Sequence, residues 1–289
     1  MKEIYYKVAG HSFVLQSREL GSLLCDLRQY EPFATEPTED VVFRLELADT
    51  PPAIIGFVEE VRQEDEGQYF VAGHVGRRTC FEFWLRGNRS ATLLIDEDCR
   101  HGVIHVERDP LFGIDNALII MYALATAEQH TAVFHASVVS YRGRGYLFLG
   151  PSGTGKSTHS RLWLEHIKGT ELVNDDNPVV RIENGDVRVY GSPWSGKTPC
   201  YRNVSYPVGG IVHLSQAPHN AMRRLKGIES YAVLMSSISG MRWDKRLSEG
   251  LHDTENLLAQ LVAVWHLDCL PDAAAAELSC SNCAGLWEG

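Results

Sequence analysis

The pattern of apolar and polar positions changes character near residue 108. Before that point, short β-branched or aromatic segments alternate with polar or glycine-containing turns, a pattern that predicts strands. The predicted strands cover residues 41–47, 68–73, 79–85 and 92–95. After that point, an apolar run begins at Pro110 and ends at Thr126, and it predicts a buried helix. The polar residues AEQH follow and end this helix. We therefore predict a β-rich N-terminal domain over residues 1–108 and a second domain over residues 109–289.

The second domain alternates strand signals with tight turns. Residues 133–141 and 146–149 read as strands joined by the turn Arg-Gly-Arg-Gly, so close a connection that it predicts an antiparallel hairpin. Residues 171–174 form another predicted strand, and residues 179–183 and 187–190 flank Asn-Gly, a strong signal for a second hairpin. These signals predict an α/β fold with a mixed sheet, whereas an ordinary doubly wound fold has a parallel one.

Residues 150–157 read GPSGTGKS and match the phosphate-binding loop G-x-x-x-x-G-K-[ST]. Glycines let backbone N–H groups approach a phosphate, the lysine supplies a positive charge, and the last serine supplies a hydroxyl for Mg²⁺. A helix predicted over residues 154–168 directs its positive end at the phosphates. The motif predicts a nucleoside triphosphate site, the alternative being a glycine-rich turn that binds nothing. Its candidate binding residues are Gly150, Ser152, Gly153, Thr154, Gly155, Lys156, Ser157 and Thr158.

Two adjacent carboxylates end the strand that follows the loop helix. Asp175 and Asp176 lie 175 − 156 = 19 and 176 − 156 = 20 residues after Lys156. A magnesium–nucleotide complex needs a carboxylate beside the Ser157 hydroxyl, and an alcohol acceptor needs a base near the γ-phosphate. Neighbouring strand residues point to opposite faces, so one carboxylate faces the metal more directly than the other. The alternative is a solvated Asp pair that opens a turn.

Four further positions are candidates for the same site. His135 lies on the hairpin beside the loop and can orient an aspartate or take up a proton; the alternative is a core histidine bonded to a carbonyl. The loop over residues 191–202 leaves the second hairpin, and its Lys197 and Arg202 can neutralise charge on a transferring phosphoryl group. Trp194 in that loop can wall a substrate pocket. The alternative for both cations is a solvated surface side chain.

The order of His135, hairpin, GPSGTGKS, helix, ELVNDD and hairpin resembles the kinase domain of HPr kinase/phosphorylase. Phosphoenolpyruvate carboxykinases look similar in their kinase loop and Asp-Asp motif. The resemblance covers residues 130–215 and is firmest over residues 146–176. It implies an ATP site with Lys156 on the phosphates, Ser157 and Asp176 as Mg²⁺ ligands, Asp175 as the base toward a hydroxyl, and His135 supporting that base.

The chain departs from this family at two points. Thr158 stands where the family has an acidic residue, and the family's later glycine-arginine signature has no clear match here. The resemblance therefore does not extend to phosphorolysis or to HPr as the substrate. The chain also resembles stand-alone bacterial HPr kinase-like proteins, and because kinases of this family assemble as oligomers, the resemblance implies a homo-oligomer.

Composition excludes several classes of protein. The formal charge of −10, without an offsetting Lys/Arg block, argues against a nucleic-acid partner. The most apolar stretch, residues 117–127, is too short to span a bilayer, and the N-terminal MKEIYYKVAG lacks a signal pattern, so we expect no membrane partner and a cytoplasmic protein. Seven scattered cysteines suit reduced thiols, and we read Cys280 and Cys283 as plain cysteines, with a labile metal or redox site as the alternative.

Together these patterns predict an ATP- and Mg²⁺-dependent kinase that phosphorylates a hydroxyl group. The acceptor is a serine of a protein or peptide, or a small metabolite. Two alternatives stay open: a nucleotide-binding regulatory protein without phosphotransfer, and a plain NTPase.

Overall fold

The computed structural model describes residues 1–18, 27–65, 67–196 and 198–287. The chain divides into two compact units, Met1–Thr126 and Ala127–Gly289. None of the helices in the described part of the chain is long and apolar enough to cross a membrane.

The first unit is built on one mixed sheet. Its strand order is β3-β1-β2-β4-β9-β8-β7-β6-β5, and the pairs β2–β4 and β4–β9 are parallel. The elements are β1 (Lys2–Val8), β2 (His11–Ser17), a 3-10 helix (Arg28–Phe33), β3 (Ala34–Thr35), β4 (Phe43–Leu47), β5 (Val58–Asp65), β6 (Gln68–Val75), β7 (Arg78–Leu85), β8 (Asn88–Ile95), β9 (His101–Val106) and α1 (Pro110–Thr126).

Helix α1 has the bounds that the apolar run predicted, and it packs on the sheet of the first unit. Its buried side chains lie against β4, β8 and β9, and the Tyr122 hydroxyl donates to the Val8 carbonyl at 3.0 Å. The first compact unit therefore ends at Thr126, whereas the sequence placed the boundary near residue 108. The apolar run identifies a buried helix but not the sheet that buries it.

The second unit also contains a mixed sheet. Its strand order is β10-β14-β15-β16-β12-β11-β13, with β18 paired to β16 and β17 paired to β18. The strands are β10 (Thr131–Val133), β11 (Ala136–Tyr141), β12 (Arg144–Leu149), β13 (Glu171–Asp176), β14 (Val179–Glu183), β15 (Asp186–Tyr190), β16 (Ser205–Gln216), β17 (Ala221–Arg224) and β18 (Val264–Cys269). The helices are α2 (Lys156–His166), α3 (Ile228–Ser237), α4 (Lys245–Leu261), α5 (Ala273–Ala284) and a 3-10 turn (Gly285–Trp287).

Both predicted hairpins are present in this sheet. Strand β12 pairs antiparallel with β11 and parallel with β16, which confirms a mixed α/β arrangement. Strands β14 and β15 pair antiparallel around Asn184 and Gly185, whose φ values of 52° and 85° suit the tight turn that Asn-Gly predicts. The strand predicted over residues 133–141 is interrupted at Phe134 and His135.

Helices α2 and α5 cover one face of the second sheet. Phe148 of β12, Trp163 of α2 and Leu267 of β18 are buried in a common cluster. The Trp163 indole donates to the Ser279 hydroxyl of α5 at 2.8 Å. This packing fixes α2, and with it the loop that leads into α2, against the sheet.

The described cysteines form no disulfide; Cys25 lies outside the described residues. Cys280 and Cys283 both lie in α5, and burial raises the pKa of the Cys283 thiol. A buried thiol with a raised pKa resists forming the thiolate that metal binding or redox exchange requires. This environment favours the interpretation of plain cysteines.

Candidate functional site

The segment from Gly150 to Gly155 joins strand β12 to helix α2 through three glycines with positive φ. These angles are 145° at Gly150, 78° at Gly153 and 109° at Gly155, values that residues with a side chain rarely adopt. A Cβ atom on Gly150 would also lie 3.2 Å from Thr154 Cβ and 3.3 Å from the Leu214 carbonyl oxygen. The glycines of the motif are therefore required by the path of the backbone.

The side chains of Thr154 and Gln216 help to hold this loop in place. The Thr154 hydroxyl donates to the Pro151 carbonyl at 2.7 Å. The Gln216 amide, at the end of β16, donates to the Gly153 carbonyl at 3.1 Å. Sequence reasoning missed Gln216, because 63 residues separate it from Gly153 and no local pattern marks it.

Lys156 is the first residue of α2, and its ammonium group lies over the loop. It donates to the Gly150 carbonyl at 2.9 Å and to the Pro151 carbonyl at 3.3 Å. Burial lowers the pKa of Lys156, and the charges of Asp176 and Asp175 oppose this shift. The Lys156 ammonium group and the two aspartates therefore interact electrostatically. Ser157 and Thr158 are exposed at the start of the helix.

The two aspartates lie side by side in β13 but face opposite sides of the sheet. Asp175 is 6% exposed and pairs in register with Ser137 of β11. The Ser137 hydroxyl is 2.6 Å from the Ser160 hydroxyl of α2, so Asp175 shares the face that α2 covers. Asp176 pairs with Ala136 and points to the other face.

His135 contacts the second aspartate of the pair. Its Nε2 atom lies 3.6 Å from Asp176 Oδ1, and the Asn177 amide donates to Asp176 Oδ2 at 2.9 Å. Burial raises the pKa of Asp176, and the neighbouring Asp175 adds to that rise, whereas His135 and Lys156 lower it. The resemblance implied support for Asp175 instead. His135 lies in the break between β10 and β11, so strand alternation does not determine its direction.

The first half of the loop over residues 191–202 is tied to β13. The buried Asn174 amide donates to Ser192 Oγ at 3.1 Å and to the Trp194 carbonyl at 3.2 Å. The Gly196 N–H donates to the Asp175 carbonyl at 2.9 Å. Trp194 is 2% exposed, so it is a core side chain and not the pocket wall that the sequence suggested. Sequence reasoning missed Asn174, although it directly precedes the Asp pair.

The two predicted cations of this loop have different outcomes. Arg202 donates to the Leu172 carbonyl at 2.6 Å and to the Glu171 carboxylate at 2.8 Å, at the amino end of β13. Four residues of strand, about 13 Å, separate Glu171 from Asp175. The structure therefore does not bring Arg202 to the aspartates. Lys197 lies outside the described residues, and its role stays a prediction.

A cavity of about 570 Å³ borders the loop between the start of α2 and the ends of β16 and β18. Its walls combine loop backbone with mostly apolar side chains, a composition suited to a flat, weakly polar group such as a nucleoside base. The lining residues are Gly153, Thr154, Gly155, Thr158, His159, Leu162, Leu214, Gln216, Ala217, Pro218, Cys269, Leu270 and Pro271.

The donor set near the loop fits Mg²⁺ only together with a phosphate ligand. Within the described residues, no group of three or more His, Cys, Asp or Glu side chains is placed to hold a metal ion. Mg²⁺ differs from metals that need such cages, since it usually takes one or two carboxylates and completes its shell with waters and substrate phosphates. The Ser157 hydroxyl and one carboxylate of the Asp pair match that requirement.

Neither a protein-family model nor a curated protein matches this chain. Among solved structures, the chain is similar to the HPr(Ser) kinase/phosphatase from Coxiella burnetii, with 15% sequence identity and a TM-score of 0.34. That similarity covers 54% of this chain and 99% of the other. The relation is distant in both sequence and fold.

Proposed function

We propose that this protein transfers the γ-phosphoryl group of a nucleoside triphosphate, taken to be ATP, to a hydroxyl group in the presence of Mg²⁺. One observation carries the proposal. Lys156, in a glycine-rich phosphate loop, interacts electrostatically with two adjacent aspartates. These aspartates lie at the end of strand β13 and point to opposite faces of the sheet. A site that only bound nucleotide would need one carboxylate for the metal, and the second is available for chemistry.

The donor site in this proposal combines the loop with the cavity beside it. Backbone N–H groups of the loop and the start of α2 point toward phosphate oxygens. Lys156 exchanges its contacts with the Gly150 and Pro151 carbonyls for the phosphates, and the apolar cavity takes the base. Loss of these two carbonyl contacts costs little, because the lysine gains charge-assisted hydrogen bonds in return.

We assign the two aspartates opposite roles from those that the resemblance implies. Asp175 faces α2, which carries Ser157, and these two residues would hold Mg²⁺. When bound, Mg²⁺ neutralises charge on the phosphates. Asp176 contacts His135 and has a raised pKa, which suits a general base, because a base works best when its pKa approaches the operating pH. Asp175→Asn and Asp176→Asn variants distinguish this assignment from the reverse one.

The transfer step forms one bond to phosphorus, breaks one, and moves one proton. The acceptor oxygen forms a bond to the γ-phosphorus, and the bond from that phosphorus to the leaving diphosphate oxygen breaks. Asp176 takes the proton of the acceptor hydroxyl, while His135 holds the carboxylate in position. The Lys156 ammonium group neutralises negative charge on the phosphates. Positioning of the reacting groups supplies most of the rate acceleration.

One experiment distinguishes phosphoryl transfer to an alcohol from transfer to water and from nucleotide binding without turnover. The protein is incubated with γ-labelled ATP and Mg²⁺, with and without a cell extract, and products are identified by mass spectrometry. We expect a phosphorylated acceptor that the Lys156→Ala variant does not produce. Phosphate release that is unaffected by extract would indicate a plain NTPase, and binding without release would indicate a regulatory protein.

A further inference from the structure

The cavity of about 570 Å³ beside the phosphate loop is mostly apolar, and Gln216 and His159 add an amide and an imidazole group to its lining. Gln216 is the last residue of β16, and His159 lies in the first half of α2. A base packs its ring against apolar side chains, and the few polar groups that face it distinguish one base from another. The hydrogen-bonding groups of these two residues therefore determine which base fits best.

Gln216 offers the cavity an acceptor, because its donor is already used. Its Nε2 atom donates to the Gly153 carbonyl at 3.1 Å and to the Thr154 carbonyl at 3.4 Å. Both carbonyls can only accept, so the amide nitrogen faces the loop and the amide oxygen faces away from it. Within the described part of the chain, this oxygen has no hydrogen-bond partner.

His159 offers a second acceptor, because Ser279 fixes its tautomer. The Ser279 hydroxyl lies 2.9 Å from His159 Nε2 and accepts from the Trp163 indole at 2.8 Å. A hydroxyl has one proton, and Ser279 donates it to the Ala276 carbonyl at 3.0 Å, so His159 Nε2 is the donor. Burial lowers the pKa of His159 to about 4, so the ring is neutral and Nδ1 keeps its lone pair. This atom has no hydrogen-bond partner among the described residues.

Two acceptors in an apolar cavity match an exocyclic amino group, which has two N–H donors. Adenine carries such a group and no carbonyl, whereas guanine and hypoxanthine carry a carbonyl oxygen that needs a donor. The side chains of the lining supply few donors. The Thr154 hydroxyl already donates to the Pro151 carbonyl at 2.7 Å, and the Cys269 thiol is a weak donor. Thr158 lies in the first turn of α2, at the phosphate end of the site.

We propose that Gln216 and His159 select the nucleotide by its base, because both accept hydrogen bonds from the exocyclic amino group of adenine. Adenine nucleotides are then preferred over those of hypoxanthine and guanine, which carry a carbonyl oxygen at the corresponding position. The inference rests on the proposed function, since it takes this cavity as the site of the base. Gln216 and His159 determine specificity and take no part in the chemical step.

Nucleoside diphosphates are suitable probes, because they carry no γ-phosphoryl group to transfer. Isothermal titration with Mg²⁺ compares ADP, purine riboside diphosphate, which lacks the amino group, and IDP and GDP, which have a carbonyl oxygen in its place. We expect purine riboside diphosphate to bind about tenfold more weakly than ADP, the scale of one or two lost hydrogen bonds. IDP and GDP should bind more weakly still, because their carbonyl oxygen would face two acceptors.

Two variants assign the selection to the two residues. Gln216→Met keeps the length of the side chain and removes the amide, and His159→Phe keeps a ring beside Phe148 and removes Nδ1. Each should lower the preference for ADP over purine riboside diphosphate by about threefold or more. Loss of the Gln216 contacts to the loop weakens all nucleotides alike, so the ratio of affinities separates base recognition from loop support. His166→Phe, in the last turn of α2 and outside the cavity lining, is the matched control and should keep the wild-type ratio.

His159 is buried, so circular dichroism has to show that His159→Phe folds. Gln216→Met changes an exposed side chain, and this variant and the wild-type titrations decide the test if His159→Phe does not fold.

Three outcomes would overturn the inference: equal affinities of the wild type for ADP and purine riboside diphosphate, tighter binding of IDP than of ADP, or wild-type ratios in both variants. A wild-type ratio in one folded variant alone would remove that residue from the base site. If all four nucleotides bind equally and binding depends on Lys156, base selection fails and the proposed function does not. If none of them binds, both proposals fail.

Discussion

The two ends of strand β13 carry charged groups in contrasting environments. At the amino end, Glu171 and Arg202 are paired at 2.8 Å, and the Glu171 side chain is 60% exposed. At the carboxyl end, two like charges are adjacent, Asp175 is 6% exposed, and burial raises the pKa of Asp176. Exposed pairs of the first kind contribute little free energy, whereas partly buried carboxylates with a perturbed pKa occur mainly where a ligand or a reaction requires them.

This contrast corrects the interpretation of Arg202. Because Arg202 is a cation in a glycine-flanked loop, the sequence suggested that it contacts the transferring phosphoryl group. In the structure, its guanidinium group donates hydrogen bonds to the Glu171 carboxylate and to the Leu172 carbonyl instead. The number of residues between Arg202 and the Asp pair did not show which end of β13 the loop over residues 191–202 would reach. A charged side chain is a good candidate for function when the fold leaves it partly buried and incompletely paired.

The largest effect is expected from Lys156→Ala. The ammonium group is the cation of the phosphate loop, so its removal should bring nucleotide affinity and turnover below detection. Isothermal titration with Mg·ATP measures the affinity, and Lys168→Ala, an exposed lysine just beyond α2, is the matched control. Unchanged affinity in Lys156→Ala would remove the basis for the donor site.

The next effect separates the two aspartates. Asp176→Asn should leave Mg·ATP binding largely intact and lower transfer by about 10²-fold or more, the scale of general-base catalysis. Asp175→Asn should mainly raise the Mg²⁺ concentration needed for activity. Transfer assays over a range of Mg²⁺ concentrations distinguish the two defects. The opposite pattern would restore the roles that the resemblance implies, and equal, purely metal-linked defects would show that neither residue is the base.

The carboxyl end of β13 should also determine the pH dependence of transfer. Asp176 acts as a base only when it is ionised, and its pKa lies above the usual value of 3.8. The rate should therefore fall as the pH falls through this raised pKa, at a higher pH than an exposed aspartate would give. Because two carboxylates interact here, the profile reports the pair. A pH–rate profile without an acid limb above the usual aspartate range would contradict this prediction.

A smaller effect is expected from Asn174→Ala. This buried amide ties the Ser192 hydroxyl and the Trp194 carbonyl to the strand that carries the aspartates. Its loss should lower the free energy of unfolding by about 1–3 kcal/mol, since buried polar groups lose their partner. Urea denaturation monitored by tryptophan fluorescence measures this change. Asn203→Ala, at an exposed position without positive φ, provides a comparison at the surface, and equal losses would argue against the anchoring role.

The smallest effect is expected at the amino end of the strand. Arg202→Ala should change the free energy of unfolding by less than about 1 kcal/mol, because exposed ion pairs are weak. Transfer and nucleotide affinity should both stay close to those of the wild type. Glu171→Gln is the matched partner variant and should behave alike. A selective loss of transfer in Arg202→Ala, with Glu171→Gln unaffected, would return Arg202 to the candidate site.

Features that depend on local backbone chemistry were predictable from the chain. Pro110 and the apolar run after it defined helix α1 to the residue. Asn184 and Gly185 identified a hairpin turn, since both residues tolerate positive φ. The glycine pattern of the phosphate loop likewise reflects positive φ at Gly150, Gly153 and Gly155. In each case the deciding interaction spans only a few residues, so the sequence pattern contains it.

Features that depend on contacts between distant segments were not predictable. Gln216 reaches the loop only because β16 pairs in parallel with β12, and α1 joins the first sheet only through packing. His135 contacts Asp176 because the strand breaks where its backbone bonds to Ser237. The residue types and their spacing limited the chemistry to phosphate binding with two carboxylates. Which groups meet, and which are left partly buried, was decided by strand register and helix packing, where many weak contacts far apart in the chain act together.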